Sequence, residues 1–206
     1  MVQEKSKQAI DSQKCRTALV LLAAGDSRRF KGNKLLSLFE GKTMYRHIVD
    51  QAETLPGLFF RKIIVTQYPE IGEDLEKLGY EVVENHESIL GISHSIQLAL
   101  AALGDTADAA CFAVCDQPWL TAKTIEGLID GWKRSGRGLG CLAHNGELGN
   151  PSVFSSPYFT ELAALTGDRG GKRILRSHLE DVYLFEVENE QELRDIDTRG
   201  MPEVIE

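Results

Sequence analysis

An unbroken apolar run at residues 18–24, closed by Gly25, is the feature that most limits what this chain can become. A short apolar stretch ended by glycine reads as a strand buried on both faces, the kind a parallel sheet carries at its centre. After it come Gly25, Ser27 and Gly32 among Arg28, Arg29, Lys31 and Lys34. Small residues let backbone N–H groups approach a ligand closely, and the cations complement phosphate charge. The stretch therefore predicts a phosphate-gripping turn at the carboxyl end of a strand, where open α/β sheets take their ligands. An ordinary strand followed by a basic surface turn is the alternative. It fits poorly with four cations in residues 28–34 of a chain holding 31 acidic and 23 basic side chains.

The same balance, a net charge of −8 over 206 residues, argues against nucleic acid or a membrane surface as partner. No apolar run approaches the ~20 residues needed to span a bilayer. The length suits one domain, expected over residues 16–206, with residues 1–15 as a flexible arm. That arm is polar and lacks the apolar core of a signal peptide, and the four cysteines show no Cys-x-x-Cys pair, so reduced thiols in a cytoplasmic protein are expected. Cys111 and Cys115 lie four apart on one predicted strand and so share a face, as core thiols rather than metal ligands.

Apolar patterning predicts strands near residues 18–24, 63–65, 80–83, 109–114, 139–143, 152–154 and 182–187. Helices are expected over 44–55 with Thr43 as N-cap, 70–78, 91–103 and 121–132, with two helical segments around the glycine-marked 167–172 and a short tail helix. Residues 149–151, Gly-Asn-Pro, read as a loop. Strands alternating with helices give an α/β fold, a mostly parallel sheet with helices on both faces.

Asp116 follows the buried strand at 109–114 and so faces the same crevice as the basic turn. A carboxylate beside phosphates makes physical sense with a divalent cation between them, and magnesium takes one or two carboxylates with phosphate oxygens and water. An Asp opening a turn before Pro118 is the bland alternative. Gly91, Ser93 and Ser95 open a helix whose free N–H groups and hydroxyls suit either a ligand or simple capping. Arg169, Lys172 and Arg173 stand near one helix start, as a seat for a second phosphorylated ligand or as a plain surface loop.

The basic turn fits neither Gly-x-x-x-x-Gly-Lys-Ser/Thr nor Gly-x-Gly-x-x-Gly, which removes the P-loop and the dinucleotide fingerprint. It resembles instead Leu-x-x-Gly-x-Ser-x-Arg-Met/Phe-Gly-x-x-Lys of the molybdenum-cofactor nucleotidyltransferases, through Leu22, Ala23, Ala24, Gly25, Ser27, Arg29, Phe30 and Lys34, with Lys31 in place of that pattern's glycine. Cys115-Asp116-Gln117-Pro118 is similar to the family's Cys-Asp-x-Pro metal segment. The resemblance implies a Rossmann-like nucleotidyltransferase fold and assigns nucleotide binding to these loop residues and to Gly91, Ser93 and Ser95. It assigns catalysis to Arg29, Lys34 and Asp116, Mg2+ to Asp116 and Asp197, and acceptor contacts to Asn150, Pro151, Asp168, Gly170 and Lys172. Asp197 stands in an Asp-x-Asp-Thr segment where Arg199 replaces the family's proline, and helix capping is its other reading. The Leu-Ala-Ala-Gly form at residues 22–25 is closer to the cytidylyl branch, so CTP and a molybdopterin cofactor are the expected substrates. A recipient molybdenum hydroxylase is the expected transient partner. The guanylyl branch, a transferase for another phosphorylated metabolite, and a non-catalytic cofactor carrier are the rivals.

Overall fold

The computed structural model describes residues 15–25 and 33–196. The expectations placed on residues 1–14, Ser27, Arg29 and Asp197 lie outside the described residues. The elements run β1 (Thr17–Ala23), β2 (Leu38–Phe39), β3 (Lys42–Thr43), α1 (Met44–Glu53), β4 (Arg61–Thr66), α2 (Pro69–Glu76), β5 (Glu81–Glu84), α3 (Ile92–Leu103), β6 (Ala109–Val114), α4 (Ala122–Ser135), β7 (Leu139–His144), β8 (Glu147–Ser155), α5 (Phe159–Ala163), α6 (Lys172–Ser177) and β9 (Val182–Glu186).

Seven of these strands form one sheet in the order β5-β4-β1-β6-β8-β7-β9. β1 pairs in parallel with β4 on one edge and β6 on the other, β5 extends β4 in parallel, and β9 runs parallel to β7. β8 alone is reversed, antiparallel to both β6 and β7. The α/β, mostly parallel expectation is met.

Period-two alternation explains both faces of the sheet. From β1, Leu19, Leu21 and Ala23 pack with Met44, Ile48, Ile71, Leu128 and Trp132 beneath α1, α2 and α4. Ala18 and Val20 turn the other way, to Ile96, Leu103, Leu162 and Leu175 of α3, α5 and α6. Cys111 and Cys115 fall in the first of these cores, and burial pushes the Cys111 thiol up to about 12. They are core thiols, as the spacing predicts.

Several boundaries differ from expectation for identifiable reasons. α4 runs one turn further, to Ser135, because Lys133 and Arg134 suit a helix carboxyl end and Gly136, at φ +66°, supplies the left-handed stop. Its Thr121 side chain caps the first turn by accepting from the Thr124 amide, whereas Thr43, at the corresponding position of α1, makes no such bond. The tail segment is a 3₁₀ turn, Glu190–Leu193. β2 and β3 form a hairpin that the sequence does not advertise, since Glu40 takes φ +49° beside Gly41 at +78° where asparagine or aspartate would be the usual signal.

Residues 149–151 are not a loop. They lie inside β8, where Cys141 pairs with Ser152 but Ala143 with Leu148, so Gly149, Asn150 and Pro151 bulge out opposite Leu142. Glycine and proline mark bulges as well as turns.

Leu21 is fully buried between β1's two neighbours. Leu21→Ala is expected to lower the unfolding free energy by about 2–5 kcal/mol, read from urea denaturation, with the m-value unchanged.

Candidate active site

The carboxyl ends of the parallel β1, β4 and β6 lie at one edge of the sheet, and Lys34 and Asp116 meet there. Three successive residues at the end of β4 fix the exit of β1. Thr66 Oγ1 donates to the Ala23 carbonyl at 3.2 Å, Gln67 Nε2 to that of Ala24 at 2.8 Å, and the Tyr68 hydroxyl to that of Gly25 at 2.7 Å. Leu22 is half-buried, Ala23 and Ala24 are buried, and Gly25 is exposed where the strand gives out. No pattern in the sequence marks Thr66-Gln67-Tyr68. Only the in-register pairing of Ala23 with Thr66 makes their role visible.

Lys34 opens a 3₁₀ turn, Lys34–Leu36, capped by the Asn33 side chain, which accepts from the Leu35 amide at 3.0 Å. Leu35 is buried in the core beneath α1, and this anchors the turn. From that base Lys34 Nζ reaches Asp116 Oδ2 at 2.8 Å, although 82 residues separate the two. Their side chains are only 13% and 26% exposed, so the pair is shielded and screened far less than a surface ion pair. The other oxygen, Asp116 Oδ1, is buried with no hydrogen-bond partner. An unpartnered buried carboxylate oxygen is costly and asks for a cation or a donor.

A second carboxylate stands close by. The Ile196 amide donates to the Asp116 carbonyl at 3.0 Å and Gln117 Nε2 to the Leu193 carbonyl at 2.9 Å, so residues 193–196 are stapled alongside residues 116–117. The Leu193 side chain lies where a Cβ on Gly149 would sit, 2.8 Å away, which brings the β8 bulge with Asn150 and Pro151 against the same segment. Burial, and then the Asp116 charge, push the Asp195 carboxyl above the usual carboxylate range, while a hydrogen bond with Gln117 and the charges of Lys34 and Lys172 pull it back. Asp195 is thus a second acid that the described residues bring near Asp116, while the expected Asp197 lies outside them.

Gly91, Ser93 and Ser95 at the head of α3 lie beside residues 167–170. Gly91 precedes α3 at φ +86°, and a Cβ there would lie 2.4 Å from the Gly167 carbonyl carbon and 2.7 Å from Asp168 Oδ1. The Ser93 amide donates to the Gly167 carbonyl at 3.2 Å, and Gly170 lies beside Ile92. Ser93 and Ser95 are both buried, and Ser95 Oγ accepts from the wholly buried Asn85 at 2.9 Å. Asn85 also accepts from the Glu87 amide at 3.0 Å. The two glycine-marked segments, residues 91–95 and 167–172, therefore meet backbone to backbone.

Two carboxylates and a lysine at the strand ends fit a hard divalent cation, since magnesium asks for only one or two protein carboxylates. Among the described residues no group of three or more His, Cys, Asp or Glu side chains forms a closed cage.

Against known proteins, the MobA-like NTP transferase domain matches residues 19–182. The crystal structure of a homologue of Mycobacterium tuberculosis Rv0371c, from Mycobacterium sp. strain JC1, superposes with a TM-score of 0.71 at 30% identity, covering 84% of this chain and 86% of that one. A probable molybdenum cofactor guanylyltransferase of Thermococcus gammatolerans is 33% identical over 118 residues, 57% of each chain. Bifunctional protein GlmU of Exiguobacterium sp. is 35% identical over 112 residues, 53% of this chain and 24% of that one. The chain therefore spans only about a quarter to somewhat over half of the length of these two curated relatives.

Gly91→Ala is expected to cost at least about 1–3 kcal/mol, because a methyl group there meets backbone and takes a left-handed φ. Chemical denaturation measures it, and a change within experimental error would mean that residues 167–168 yield freely.

Proposed function

The chain belongs to the MobA-like NTP transferase family, and from that premise we propose that it is a nucleotidyltransferase that joins CMP from CTP to the terminal phosphate of a molybdopterin-type cofactor and releases pyrophosphate. The observation that carries this reading is the Lys34–Asp116 pair with Asp195 beside it, at the carboxyl ends of the strands flanking the crevice.

In this reading the nucleotide's phosphates lie over Gly25 and the segment after it, with Arg29 and Lys34 supplying positive charge. Asp116 and Asp195 would hold magnesium, with Asp197 the alternative second ligand, and the ion supplies neutralisation of phosphate charge. Lys34 answers charge that builds on the phosphates as the bond to pyrophosphate breaks, from a position fixed by Asn33 and Leu35. Catalysis of this kind is positioning and charge compensation more than covalent chemistry. An acceptor phosphate monoester is already largely dianionic near neutrality, its second pKa being about 6, so it needs no general base. Gly91, Ser93 and Ser95 would form the base-side wall. Asn150, Pro151, Asp168, Gly170 and Lys172 would form the acceptor side, which the charge of Lys172 felt at Asp195 supports. Delivery to a molybdenum hydroxylase is the expected next event for the product.

A guanylyl reading has its own support in the Thermococcus relative's name. Pyrophosphate release with magnesium and molybdenum-loaded molybdopterin, comparing CTP, GTP and ATP, separates the two. CTP alone is expected to support turnover; turnover with GTP alone would reverse the base assignment, and silence with all three would remove the acceptor or the activity.

Two substitutions test the residues. Asp116→Asn is expected to reduce kcat by more than about a hundredfold with the near-ultraviolet circular dichroism unchanged. Wild-type rates in that variant would take Asp116 out of the mechanism. Lys34→Ala is expected to lower kcat and kcat/KM together, the pattern of an interaction made in the transition state.

A further inference from the structure

A cationic concavity lies outside this centre, on the α3 side of the sheet. α5, α6 and the chain between them enclose a groove of about 250 Å³ with Leu165 and Ile174 on its apolar wall and Arg169, Arg173 and Thr166 around it. Sequence reading grouped Arg169, Lys172 and Arg173 into one phosphate seat, but the fold divides them. The charge of Lys172 is felt at Asp195 and Cys141, toward the reaction centre, while both arginines line the groove.

Neither arginine has an ion pair or side-chain hydrogen bond among the described residues. Other arginines of this acidic chain are engaged: Arg16 with Asp108, Arg46 with Asp50 and Asp74, and Arg61 with Glu81. The one carboxylate on the groove wall, Glu161, is turned to His178 Nε2 at 2.9 Å. What remains is a groove lined by two guanidinium groups together with Leu165 and Ile174, and guanidinium forks match the planar oxygens of a carboxylate or the oxygens of a phosphate.

We propose that the groove between α5 and α6 is a binding site for a small organic oxyanion, a phosphate or carboxylate carried on an apolar body, held by Arg169 and Arg173 with its body against Leu165 and Ile174. The site is independent of the nucleotidyl-transfer reading. Its ligand is either the remote end of an acceptor lying across residues 167–172 or a separate metabolite. The segment lining the groove is the one whose backbone meets Gly91, so an occupant would bear on the base-side wall as well.

The test is titration calorimetry of the full chain with phenyl phosphate, on the wild type, Arg169→Ala, Arg173→Ala and Lys34→Ala. Each arginine variant is expected to weaken binding about tenfold or more, as loss of a charge-assisted contact does, with thermal melting unchanged; Lys34→Ala is expected to retain it. No binding to the wild type, or binding lost with Lys34→Ala and kept in both arginine variants, would overturn the site. Inorganic phosphate in parallel isolates the apolar contribution, and binding as strong as that of phenyl phosphate would remove Leu165 and Ile174 from the proposal. Where the arginine variants also raise the acceptor's KM, the anion is the acceptor's remote end; where they abolish only the effect of added phenyl phosphate on turnover, it is a separate metabolite. Both results uphold the site.

Discussion

The pairing of β1 along both of its edges is the constraint from which the rest of the molecule follows. Every N–H and C=O of a buried strand must find a partner, and β1 finds them in β4 and β6, in parallel. Because both neighbours run in its own direction, their carboxyl ends arrive with its own. Thr66 therefore stands opposite Ala23, and Val114 opposite Leu22 just before Asp116. Side chains distant in sequence are brought to one crevice by hydrogen bonds that have nothing to do with chemistry. The helices then cover both faces and leave that crevice as the place where charge can collect.

What collects there is uneven. Lys34 balances one carboxylate, Asp195 adds another, and part of Asp116 has no donor to face. Such an arrangement is expensive in a shielded site unless a cation or a ligand's own donors complete it. The groove beside α6 has the reverse polarity, two cations with their nearest carboxylate turned aside. Residues 167–173 border both, sending Lys172 to one and Arg169 and Arg173 to the other.

Much of this was legible in the sequence because it rests on local pattern. The apolar run of β1, the helix faces and the place of Asp116 after a buried strand all follow from periodicity and burial. The clamp formed by Thr66, Gln67 and Tyr68 was not legible, since its meaning depends on the register between two strands and nothing in those residues announces it. Asp195 drew no notice in the sequence because the motif names Asp197 by spacing and says nothing of the contacts that fold residues 193–196 beside Asp116. The β8 bulge was read as a loop because glycine and proline punctuate both, and only the cross-strand pairing of Cys141 and Ala143 tells them apart.

The buried serines change how the head of α3 is best understood. Ser93 and Ser95 have little surface to offer a ligand, and Ser95 is occupied by Asn85. Ser95 ties the head of α3 to the turn after β5 through Asn85, and the Ser93 amide holds the Gly167 carbonyl, where Gly91 meets Gly167 at a distance no side chain would allow. Contact between two backbones transmits displacement more directly than contact between flexible side chains, because there is no rotamer to absorb it. A ligand that moves residues 167–168 must therefore move Gly91, and the two segments act as one piece.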